Sequence, residues 1–144
     1  MMRTILFHLN MFLLAACFLF GCSRRSSNPL LLQADSLLSV RPDSVLTMLD
    51  GLSGLEDMPA ADRAFYSLLW AQALDKAERP LLLCDSLLEF ALHYYGDDDL
   101  ERAVALLYKG RLLAQMNDKK AAIELNLKAL DILKDYPKDT KYRG

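Results

Sequence analysis

Cysteine and histidine suit nucleophilic and soft-metal chemistry, and this 144-residue chain has three of the first and two of the second. Their placement removes most of that chemistry. His8 and Cys17 lie within a long apolar stretch near the N-terminus, and Cys22 closes it. That leaves Cys84 and His93, nine residues apart on one helical segment and off a shared face, so no zinc site follows. Cys84, among apolar neighbours, reads as a small buried hydrophobe. His93, beside Tyr94-Tyr95, reads as a partly exposed packing residue. Asp97-Asp98-Asp99 lacks the alternating oxygen ligands and turn glycine of a calcium loop, so solvation and capping of the next helix are its expected roles. No glycine-rich phosphate loop, nucleophile elbow or metalloprotease helix occurs. An enzyme needs reactive groups converging on a pocket. None can be named here, and no catalysis, metal or cofactor is expected.

The apolar stretch carries a different message. Arg3 precedes a nearly unbroken apolar run from Thr4 to Phe20, which ends in Leu19-Phe20-Gly21-Cys22. A charged start, an apolar middle and a small residue before the cut are secretory-signal architecture. A cysteine directly after that small residue makes the segment resemble a bacterial lipoprotein signal, which implies an acylated Cys22 as the new N-terminus. Leu14-Ala15-Ala16-Cys17 offers an alternative box. Cleavage before Cys17 would leave Phe18-Leu19-Phe20 as an apolar stub, whereas cleavage before Cys22 exposes the polar Ser23-Arg24-Arg25-Ser26-Ser27-Asn28-Pro29. The organisation expected is a signal over 1–21, a tether over 22–29, a helical domain over 30–136 and a polar tail over 137–144. An uncleaved anchor is the competing reading. Thr4 to Gly21 is 18 residues, at the short end of a membrane span, and Arg24-Arg25 would then hold the domain on the cytoplasmic side.

Loss of residues 1–21 removes Arg3 and no acid, so the net charge moves from −2 to about −3. Nucleic acid is not an expected partner, because a basic face is its electrostatic footprint. With Cys17 and Cys22 assigned to signal and anchor, Cys84 alone remains and no disulfide framework follows.

Everything after Pro29 has a 3.6-residue apolar period, and no stretch alternates like a strand. Helices are expected over Leu30–Val40, Asp43–Leu52, Ala60–Glu78, Pro80–Tyr95, from Asp99 onward, and after Met116-Asn117-Asp118 as far as Tyr136. Arg41-Pro42, Gly51-Leu52-Ser53-Gly54 and Asp57-Met58-Pro59 break the early ones. The third, with Phe65, Leu68, Leu69, Trp70, Ala73 and Leu74, is apolar on more than one face and should be covered on more than one side. The fifth carries Val104, Leu107, Tyr108 and Leu112 at core spacing. The sixth carries Leu125, Ala129, Ile132 and Tyr136 as one stripe. Six helices with short links make an all-α fold of three antiparallel pairs. Ala34-Asp35-Ser36-Leu37-Leu38 recurs 50 residues on as Cys84-Asp85-Ser86-Leu87-Leu88, with Pro42-Asp43-Ser44-Val45-Leu46 as a looser echo.

Ala103 to Tyr136 resembles a tetratricopeptide repeat, 34 residues of helix, turn and helix. Gly110 matches the small residue of the first helix, Ala122 and Ala129 those of the second, and Leu106 and Leu113 the bulky positions around the glycine. Asn126 stands where the family prefers a large apolar residue, and Pro137 comes later than its closing proline. A mid-helix glycine costs about 1 kcal/mol against alanine, so Gly110 calls for a close contact in return. In the pair from Ala60 to Tyr95, Ala71 or Gln72 takes the glycine place and Cys84, Leu88 and Ala91 the small places of the second helix. The first helix pair is a degenerate cap.

The resemblance implies a short α-solenoid whose first helices line a groove for a protein or peptide. Gln72, Lys76, Tyr108, Arg111 and Gln115 are its candidates. Signal and repeats together resemble the N-terminal part of envelope sensor proteins, which makes a region of a longer signalling protein the alternative. No capping helix follows the sixth, so its stripe is expected to be partly exposed and to favour self-association. Finally, Asp35-Ser36-Leu37, Asp43-Ser44-Val45 and Asp85-Ser86-Leu87 resemble an O-glycosylation acceptor of some Gram-negative envelopes.

Overall fold

The computed structural model describes residues 26–97 and 99–136. Residues 1–25, with the signal, the candidate cysteines Cys17 and Cys22 and half of the tether, lie outside the described residues, as do Asp98 and the 137–144 tail. Six α-helices and no strand are present among the described residues: α1 (Pro29–Leu37), α2 (Pro42–Asp50), α3 (Ala60–Lys76), α4 (Asp85–Tyr94), α5 (Leu100–Gln115) and α6 (Lys119–Leu133). A 3₁₀ turn, Leu82–Cys84, leads into α4. The fold is all-α.

Local chemistry starts most of these helices where expected, but α4 begins at Asp85, behind the 3₁₀ turn, rather than at Pro80. The Asn28 side chain accepts from the N–H groups of Leu30 and Leu31, with Pro29 in the first turn, satisfying donors that would otherwise be orphaned. Pro42 opens α2. Asp118 caps α6 by accepting from the Ala121 N–H at 3.1 Å. Asp99 stands at the N-cap of α5 but makes no capping bond. Its carboxylate accepts instead from the Gly96 N–H at 2.6 Å, which ties the loop to itself.

Each helix packs against the one before it, and the odd-numbered helices also touch in succession, α1 with α3 and α3 with α5. α3 runs through the centre and buries ten of its 17 residues, on several sides. One core joins α1 to α5 through Leu31, Leu49, Leu68, Leu69, Leu88 and Leu112. A smaller one, Ala103, Leu106, Ala129 and Leu133, fastens α6 to α5.

The ends of α3 and α5 are copies of one another. After α3, Glu78 has φ 56°, and after α5, Asn117 has φ 67°. Arg79 N–H reaches back to the Leu74 carbonyl at 2.8 Å, and Asp118 N–H to that of Leu113 at 2.9 Å. This is the left-handed closure that satisfies the last carbonyls of a helix. The two closures lie 39 residues apart (117 minus 78), and that displacement aligns Ala71, fully buried, with Gly110.

Two sequence expectations shift. α6 ends at Leu133, so Tyr136 falls beyond the helix rather than extending its stripe. The buried line of α6 is Ala122, Ala129 and Leu133, while Leu125 and Ile132 are half-buried. The side left to solvent is a different one, Ile123, Leu127 and Leu130.

Candidate functional site

The border between α3 and α5 holds the residues singled out as a groove. Lys76 is exposed at the last turn of α3. Across from it, Arg111 pairs with Asp75 and lays its guanidinium over the Tyr108 ring, 5.4 Å from its centre. Gln115 is exposed, and its side-chain oxygen accepts from the Leu81 N–H at 2.8 Å, fixing the turn that follows α3. Gln72 does not belong to this surface. It is 2% exposed, and its amide donates to the Leu68 carbonyl of its own helix at 3.1 Å. A helix enclosed on several sides leaves no solvent face for that position. Asp75, which sequence reasoning passed over, is the acid that orients Arg111. Its spacing, four residues after Ala71 on the same face, was the signal.

The small residues of α5 and α6 meet as their spacing required. A Cβ on Gly110 would lie 2.5 Å from Asn126 Oδ1 and 3.2 Å from the Ala122 carbonyl oxygen. Leu106, Ala122 and Ala129 are buried, and Leu113 is half-buried. In the preceding pair, Cys84, Leu88 and Ala91 are all fully buried.

A second concavity was not legible in the sequence, because three helices contribute to it. The cleft between α4, α5 and α6, about 700 Å³, is lined by Glu89, His93, Arg102, Lys109, Lys128 and Asp131, together with the apolar Leu106, Leu125 and Ile132. Lys109 is 8% exposed and donates to Asp85 at 2.8 Å and Glu89 at 2.5 Å. Burial alone would lower its pKa, but the two carboxylates more than offset that and hold the ammonium above the ordinary lysine range. Arg102 donates to the carbonyls of Leu92 and Tyr95 and so closes the C-terminal end of α4. The lining thus sets the acids Glu89 and Asp131 among the cations Arg102, Lys109 and Lys128, a mixture suited to holding a polar segment.

A smaller hollow of about 320 Å³ between α2 and α3 is lined by Asp43, Thr47, Asp50, Trp70, Leu74 and Arg79. Trp70 stacks on Tyr66 with ring centres 5.7 Å apart.

Reactive chemistry is scarce among the described residues. Burial pushes the Cys84 thiol up to about 12, so the nucleophilic thiolate is not formed near neutrality. Tyr66 is likewise raised, by burial and then by Asp50 and Cys84. His93 is exposed, and no group of three metal-ligating side chains forms among the described residues. Ser36, Ser44 and Ser86 of the Asp-Ser-Leu/Val tripeptides are all exposed, on α1, α2 and α4.

No protein-family model, curated protein or solved structure matches this chain. Among the described residues no helix is long and apolar enough to cross a membrane.

Proposed function

We propose that this protein is a lipid-anchored, periplasm-facing scaffold of the cell envelope, built of stacked tetratricopeptide-like helix pairs. It binds a protein or peptide and catalyses nothing. The observation that supports this most is the repeated closure of α3 and α5, together with the succession of contacts α1–α3–α5. Helices repeated in register and laid side by side present equivalent positions in a row, which is how helical repeats form an extended binding face. Lys76, Tyr108, Arg111 and Gln115 are the groove residues of this reading, with Asp75 setting the pose of Arg111 and Gln72 now assigned to the core.

A photoreactive amino acid placed at Lys76 or Gln115, and separately at His93 or Lys128, tests the face in whole cells. Adducts to a discrete envelope protein from the first pair are expected. Adducts from the second pair alone would move the binding site to the α4–α6 cleft. Adducts from neither would sink the scaffold reading.

The address is tested by labelling with a palmitate analogue in a Gram-negative host. Loss of label in Cys22→Ala, and its retention in Cys17→Ala, is the expected result. The reverse pattern would place the lipid on Cys17. An unlabelled wild type would overturn the lipid anchor and favour an uncleaved segment with the domain in the cytoplasm.

A further inference from the structure

α6 buries one line of residues against α5 and offers another to solvent. Ile123, Leu127 and Leu130 are 59, 61 and 57% exposed. They stand at i, i+4 and i+7 and form one apolar row. Along one flank of the row run Lys120, Glu124 and Asp131, all exposed, while Lys128 lies further round, towards the cleft against α4.

We propose that α6 pairs antiparallel with α6 of a second copy, about a twofold axis beside Asn126 and Leu127. Leu127 then meets its own counterpart, and Ile123 meets Leu130 of the second copy. A twofold of this kind brings the same flank of both helices together. In the register set by the apolar row, Lys120 faces Asp131 of the second copy, a contact that occurs twice. A parallel twofold would instead carry this flank to opposite sides of the seam, where none of these charges meets a partner. The charge order, read with the apolar row, therefore selects a second copy of this chain in one orientation.

Asp131 also accepts from Lys134 of its own helix at 2.6 Å, so the incoming Lys120 meets an acid already held on the surface. A 15-residue helix is only about 22 Å long. One such row buries less than the roughly 1,200 Å² of a standard stable complex, so the pair is weak and concentration-dependent.

Sedimentation equilibrium of the full chain in a mild detergent tests this, with circular dichroism reporting the fold. A monomer–dimer equilibrium is expected for the wild type. Leu127→Glu should lower the association constant roughly tenfold or more, and Lys120→Glu about threefold. Lys120→Glu combined with Asp131→Lys should restore it, since the swapped charges again face their opposites. All three positions are exposed, so helicity should not change. A wild type that stays monomeric, or a dimer indifferent to Leu127→Glu, would overturn the proposal and leave the row to residues 137–144 or another protein. A double swap that fails to restore association would overturn the antiparallel register.

Discussion

Asn126 lies directly over Gly110, close enough that a Cβ on residue 110 would fall 2.5 Å from its Oδ1 and 3.1 Å from its Cγ. The polar side chain at the place where a repeat of this kind prefers an apolar one is therefore the lid on the glycine.

Gly110→Ala gains about 1 kcal/mol of helix propensity but forces Asn126 from its rotamer and crowds the Ala122 carbonyl oxygen at 3.2 Å. A net loss of about 1 kcal/mol is expected, because strain from overpacking outweighs the propensity. In an Asn126→Ala background the same substitution should become neutral or stabilising. Urea unfolding of the four chains gives the coupling directly, and additive effects would show that the lid does not act on residue 110.

Lys109 should stabilise the fold below the alkaline range only. Its pKa is raised in the native state, so its contribution is complete below about pH 10.4 and is lost as pH rises through the native value. Lys109→Met, which keeps the apolar stem, should cost about 1 kcal/mol at neutral pH, because both carboxylates are more than half exposed and regain water. The deficit should shrink as pH rises through that native value. A variant as stable as the wild type at every pH would remove Lys109 from the account.

Cys84 adds an earlier alkaline weakness. Its thiol is neutral in the native state up to about 12 but ionises near 8.5 in the unfolded chain. The unfolded state therefore sheds a proton first, and stability falls from about pH 8.5 upward by as much as ~1.4 kcal/mol per pH unit. Cys84→Ala should flatten that slope between pH 8.5 and 10, at whatever absolute stability it has. A thiol reagent at pH 8 should leave Cys84 unmodified until denaturant is added.

Asp62 should hold the start of the domain in place. It is 8% exposed and accepts from the Ser26 hydroxyl at 2.6 Å and the Ser27 N–H at 3.2 Å. Asp62→Ala should abolish the hydrogen-exchange protection of the Ser27 amide with little change in α4 to α6. Unchanged protection at Ser27 would mean that the segment before α1 is held by other contacts.

Much of the architecture was legible because it rests on short-range rules. Pro29, Pro42 and Asp118 sit where helix starts demand them, and Gly110, Ala122 and Ala129 repeat at helical spacing. The echo of Ala34-Asp35-Ser36-Leu37-Leu38 in Cys84-Asp85-Ser86-Leu87-Leu88 carries through to burial. Ala34, Leu38, Cys84 and Leu88 are inside, while Ser36 and Ser86 face solvent. The groove was only partly legible. Gln72 is polar and adjacent to surface candidates in sequence, yet it satisfies its amide on its own helix and can be buried. Nothing local distinguishes it from Gln115, which reaches across a turn to Leu81.

The sequence by itself determined that the chain is all-α, where most of its helices start, and that two of them approach closely around a glycine. Each of these follows from residues within a few turns of one another. Only the tertiary structure decided which side of α6 is covered and which charges share a cleft. Apolar residues lie on three sides of α6, so periodicity alone selects no face. Packing on α5 buries the line that ends in Leu133 and leaves Ile123, Leu127 and Leu130 outside. Lys109 finds Asp85 and Glu89 more than five helical turns away along the chain, a meeting set by how α4 and α5 pack and not by any local preference.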